Sequence, residues 1–122
     1  MLPLQRSKAK LEEEGWKVWK VETWNQWSGQ RTDLYNLMDL VAIRADVLGV
    51  LGVQCCSEDV QKHIAKYLEG YTDVKGKFHG PNEFLPIWKA AGNKILIHSW
   101  VKRCQDGERG KRKVWTLREV TL

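Results

Sequence analysis

Three residues in the middle of the chain have types and spacing that could do chemistry. In "VLGVLGVQCCSEDV", residues 47–60, an apolar run acquires Gln54 and Cys56 just before it ends. Residues two apart on a strand share a face, so Gln54 and Cys56 project together while Cys55 points away. Asp39 is an ionisable group inside the preceding apolar run "LMDLVAIR", on a strand where it can project toward the same end of the sheet. A Cys56 thiol would act as a nucleophile only beside a base, and no histidine can be placed near it. The chain has three cysteines, Cys55, Cys56 and Cys104, without a CxxC spacing. Adjacent strand residues cannot easily clamp one zinc ion, so a structural zinc site is rejected and the thiols are read as reduced.

The elements that must position these residues follow from periodicity and punctuation. "LQRSKAKLEEEG" reads as a short amphipathic helix to about Glu14, with Gly15 as its C-cap. "WKVWKVETW", residues 16–24, has strand composition, and "NQWSGQRTDLYN" has the composition of a loop. The runs holding Asp39 and Gln54 form an antiparallel hairpin turning at Ala45 and Asp46. Ser57 is the expected N-cap of a helix carrying Val60, Ile64, Tyr67 and Leu68 on one face and ending at Gly70. A loop, a short helix "FLPIWKAAG" and two strands, "KILIHSWVKRC" and "VWTLREVTL", complete the order α-β-β-β-α-α-β-β.

At 122 residues the chain is read as one domain, 1–122. It is 43% hydrophobic and 29% charged, enough apolar content to close one core without disulfides or a metal. No apolar run approaches the roughly 18 residues of a membrane span, and the N-terminus lacks a secretory h-region. A cytoplasmic protein without a membrane partner is expected. Twenty Lys and Arg against fifteen Asp and Glu leave a net charge of +5, which favours a polyanionic partner, nucleic acid first.

The helix, three-stranded meander, helix, strand order resembles the PD-(D/E)XK nuclease superfamily, which includes restriction endonucleases and Holliday-junction resolvases. Asp39 matches that family's Asp; Gln54 stands in the place of its Glu, and Cys56 in the place of its Lys. The resemblance implies an α/β (α+β) fold with a restriction-endonuclease-like mixed central sheet flanked by helices. It also implies Mg²⁺ or Mn²⁺ held by Asp39, Gln54 and the Cys55 carbonyl, because a hard cation takes oxygen ligands. Gln54 can ligate but brings no charge, and a cysteine cannot replace a fixed ammonium, so a lysine such as Lys62 would have to arrive from elsewhere. A glutamate often found in the family's first helix would fall near Leu4 and Gln5. Small members of the family commonly act as dimers on duplex or branched DNA, so a homodimer is an implied possibility.

Other residues are read beside a plainer alternative. Asp39 could instead be a strand-end carboxylate satisfied by backbone donors or by Arg31. Lys102, Arg103, Lys111, Arg112 and Lys113, with Arg109 and Arg118, form a basic hairpin suited to phosphates, or else a solvated turn. Arg31 is expected to join them in nucleic-acid contact. Of seven tryptophans, Trp16, Trp19, Trp88 and Trp115 are assigned to the core. Trp24 and Trp27 could pack at an interface or stack on unpaired bases. His98 is read as a satisfied strand histidine. The leading expectation is a small nuclease-like protein acting on nucleic acid, DNA before RNA. The alternatives are a catalytically inactive nucleic-acid-binding module of the same fold, or a protein-interaction domain.

Overall fold

A computed structural model of the chain describes residues 2–57, 59–104 and 113–122. Helix α1 spans Pro3–Glu13, with the proline in its first turn, where a missing N–H costs nothing. The Gln5 side chain turns back to accept the Leu2 N–H at 3.0 Å. Ser7 and Leu11 are the buried face of α1.

The segment expected as one strand over 16–24 divides into β1 (Lys17–Lys20) and β2 (Thr23–Asn25). Its division has a local cause: the Val21 and Glu22 N–H groups both donate to the Asp39 carbonyl, at 2.9 and 3.3 Å. The expected loop that follows contains β3 (Gln30–Thr32), paired antiparallel with β2. Next come β4 (Leu40–Arg44) and β5 (Val47–Cys56), which pair antiparallel around the Ala45–Asp46 turn.

Helix α2 covers Val60–Glu69, and its N-cap is Asp59 rather than Ser57, with the carboxylate accepting the Gln61 N–H at 3.0 Å. A carboxylate at that position also meets the positive end of the helix. The loop expected over 71–82 holds a second small hairpin, β6 (Tyr71–Thr72) with β7 (Phe78–His79). Helix α3 spans Phe84–Ala90, followed by β8 (Lys94–Cys104) and β9 (Lys113–Thr121). The two small hairpins are the elements that the expected order lacked.

Five strands form one mixed sheet in the order β1-β4-β5-β8-β9. Only β5 and β8 are parallel; the crossover between them carries α2 and α3. The sheet separates two apolar layers. On the α1 side, Leu11 packs with Leu40, Ala42, Leu51 and Val53. On the other side, Leu37, Met38, Val60, Tyr67, Leu85, Ile95 and Ile97 form the larger cluster. Gly52 gives the Met38 side chain its room in this second layer, and a Cβ there would make the Met38 thioether shift. Among the described residues, no helix is long and apolar enough to cross a membrane.

Tryptophan placement departs from expectation. Trp16 and Trp88 are half-buried against the two clusters, but Trp19 is 74% exposed on the edge strand β1. Trp115 is also partly exposed, held between the Arg6 guanidinium at 4.4 Å and the Lys102 ammonium at 5.2 Å. Both lie on outer strands of the sheet, where Arg6 of α1 reaches Trp115 and Trp19 is left open to solvent.

Candidate functional site

Asp39 sits immediately before β4, opposite the late part of β5. Its N–H donates to the Val53 carbonyl at 2.9 Å, and its own carbonyl holds the Val21 and Glu22 N–H groups. The carboxylate oxygen Oδ2 accepts the Cys55 N–H at 2.9 Å. The residue is therefore pinned on three sides by backbone bonds. The upstream turn is constrained as well: Tyr35 and Asn36 both have positive φ, at 56° and 55°. The Asn82 amide donates to their carbonyls at 3.0 and 3.5 Å.

Asp39, Gln54 and Cys55 meet in a cavity of about 480 Å³. One wall is the start of α1, residues 2–5, which includes Leu4 and Gln5. The facing wall carries Lys20, Glu22, Thr23 and Trp24. Burial pushes the Asp39 carboxyl up to about 7; the Cys55 N–H opposes this, and the Glu22 and Asp33 carboxylates add to it. Gln54, which lines the same cavity, has a buried side-chain oxygen Oε1 with no hydrogen-bond partner among the described residues. Buried polar atoms are nearly always paired, so an orphaned carbonyl oxygen in one cavity with a carboxylate has the chemistry of a cation ligand.

This donor set fits a hard divalent ion in type, one carboxylate and one amide oxygen, but sparsely. No three His, Cys, Asp or Glu side chains form a metal-holding group among the described residues. Burial pushes the Cys55 thiol up to about 12, against the opposing Ser7 hydrogen bond, and the oxygen that Cys55 offers a hard ion is its backbone carbonyl. Cys56 does not line the cavity; it packs against the core cluster on the α2 side. Lys62, exposed on α2, does not line it either. The lysine that does is Lys20, which sequence reasoning missed. Strand alternation could not have found it, because the chain breaks between β1 and β2 and Thr23 lines the cavity beside Glu22 and Trp24.

The basic hairpin divides by the same alternation. Lys102 pairs with Trp115, on the face where His98 meets Ser7 of α1, and Lys113, two residues before Trp115, shares that face. Arg103 lies on the other face, in a shallow groove with Arg118 and Thr116. Lys111 and Arg112 lie outside the described residues. Arg31 is the register partner of Trp24 in the β2–β3 hairpin.

A third group consists of Ser7, His98, Trp100 and Glu119. Since a carboxylate only accepts, His98 Nε2–H donates to Glu119 Oε2 at 2.7 Å. His98 Nδ1 then accepts the Ser7 hydroxyl at 2.9 Å, and Ser7 Oγ accepts the Trp100 indole N–H at 2.9 Å. The residue types are those of a hydrolase triad, but Ser7 is 0% exposed and no substrate reaches it. This network fastens α1 to β8 and β9.

The fold and cavity define a mixed α/β protein with a five-stranded sheet and a part-buried acidic cavity at the start of α1. Compared with protein-family models, curated proteins and solved structures, the chain finds no match in any of the three.

Proposed function

We propose that this chain is a nuclease-like protein of restriction-endonuclease-like fold that binds nucleic acid, DNA in preference to RNA. In this reading it hydrolyses phosphodiester bonds with Mg²⁺ or Mn²⁺ held by Asp39 and Gln54. The observation that carries the proposal is that Asp39, with its raised carboxyl, and Gln54, with a side-chain oxygen unpaired among the described residues, line one cavity. The antiparallel β1-β4-β5 meander, followed by α2 and the parallel β8, supports the fold assignment.

A divalent ion held there would polarise a phosphate oxygen and acidify its water. The protein's own residues do the rest. Asp39 supplies the negative charge, and its bond from Cys55 N–H fixes one oxygen and leaves the other to ligate. Gln54 supplies a neutral oxygen from the facing strand. Lys20 brings to the cavity the positive charge that Cys56 does not, and it can attract the scissile phosphate.

The test is cleavage of duplex, branched and single-stranded substrates with Mg²⁺ or Mn²⁺. Activity that disappears in Asp39→Ala and falls in Lys20→Gln supports the reading. No cleavage with either metal on any substrate removes the enzyme. What then remains is a nucleic-acid-binding module of the same fold, favoured by the neutral Gln54 and the inward-packed Cys56.

A further inference from the structure

We infer that the β2–β3 hairpin is a stacking subsite for an unpaired nucleobase, with Trp24 as platform and Lys20 as phosphate contact. The substrate class is then single-stranded nucleic acid or an unpaired end, not intact duplex. The inference deepens the nucleic-acid reading above and rests on it.

Tryptophan is among the most buried residues on average, so its exposure in numbers is informative. Trp24 is 61% exposed although it lines the Asp39 cavity, and Trp27, at the hairpin tip, is 98% exposed. The tip is a built turn. Asn25 Oδ1 accepts the Trp27 and Ser28 N–H groups at 2.9 and 3.2 Å, and the Asn25 carbonyl accepts the Gly29 N–H at 2.9 Å. Gly29 has φ 65°, which glycine adopts at low cost. Below the tip, the Thr23 and Thr32 hydroxyls bond across the strands at 3.1 Å. Both indoles are thus presented to solvent by an ordered element.

Charge and geometry favour a polynucleotide as the occupant. Lys20 shares the cavity with Trp24, and the whole chain carries +5. A ring platform recognises any base with a free π-face, and a duplex keeps those faces stacked on one another. The cavity, about 480 Å³, is in the size range of small-ligand sites. Trp19 takes no part: it pairs with Val41 on the opposite face of the sheet from Lys20.

The experiment uses the full chain with EDTA, so that binding is read apart from metal and cleavage. Fluorescence anisotropy compares labelled oligothymidylate of about 12 nucleotides, an abasic strand of the same length, and a duplex. Oligothymidylate is expected to bind tightest, and Trp24→Ala to weaken it at least about fivefold while leaving the abasic strand unchanged. Trp24→Phe should recover most of the loss, and Lys20→Gln should weaken both strands alike. Unchanged oligothymidylate binding by Trp24→Ala overturns the subsite, as does an abasic strand bound as tightly as oligothymidylate. If abasic strand and duplex bind without base dependence, the subsite fails and the nucleic-acid reading stands. If none of the three binds, both fall, and the exposed indoles belong to a protein partner. Base-dependent binding without metal-dependent cleavage upholds the subsite and removes the enzyme.

Discussion

Two buried ionisable residues carry opposite pH signatures. The Asp39 carboxyl is raised from 3.8 to about 7 in the folded chain. Its contribution to stability is therefore full below the unfolded value and is lost as pH rises through about 7. Asp39→Asn keeps an oxygen for the Cys55 N–H and cannot ionise. This variant should melt higher than wild type at pH 8, by at most about 4 kcal/mol, with the difference vanishing in acid. Adding Mg²⁺ at pH 8 should raise the melting temperature of wild type and not of Asp39→Asn. His98 behaves in reverse. Burial lowers its pKa, against the opposing Glu119 carboxylate, so its contribution is full above the unfolded value of 6.5 and is lost as pH falls below it. Replacing His98 with Gln should remove that acid-side loss and lower the melting temperature at pH 8, because Ser7 and Glu119 lose their shared partner. Thermal melts across about pH 4–8 separate the two residues.

At the scale of elements, caps and turns decide whether the strands meet in register. Asp59, not Ser57, caps α2, so Asp59→Ala should cost about 1 kcal/mol and Ser57→Ala almost nothing, by urea denaturation. Gly49 has φ 82°, and a Cβ there would lie 2.1 Å from the Gly92 carbonyl oxygen, where β5 passes the end of α3. Gly49→Ala should therefore destabilise by more than about 2 kcal/mol, since backbone strain and a clash with main chain add. The β2–β3 hairpin shows how an element escapes a sequence reading. Composition alone marks residues 25–36 as loop, yet Thr23, Trp24 and Asn25 pair with Thr32, Arg31 and Gln30.

On the scale of the whole molecule, charge placement matters more than its sum. The cavity opens at the start of α1, and Arg6, Lys102 and Lys113 lie on the α1 side of the sheet. Arg103 and Arg118 face the other way. If one polyanion follows the α1 side, Lys102→Ala should weaken binding and reduce the salt slope by about one, while Arg103→Ala leaves the slope unchanged. Anisotropy titrations across KCl concentrations measure both. A slope lowered equally by the two substitutions would place the polyanion around the hairpin end instead.

The sequence by itself determined the main helices and long strands, because their signals are local: apolar period, glycine ends and turn residues. It also placed Asp39 and Gln54 toward the same end of the sheet, since a hairpin with a short turn leaves little freedom of register. Only the tertiary structure decided which lysine enters the cavity, which way Cys56 packs and which tryptophans stay in solvent. Those outcomes depend on where α1, α2 and α3 settle on the sheet, and hence on contacts between residues far apart in the chain. Alternation assigns a side chain to a face, but only the packing of helices on the sheet decides whether that face is core, cavity or open water.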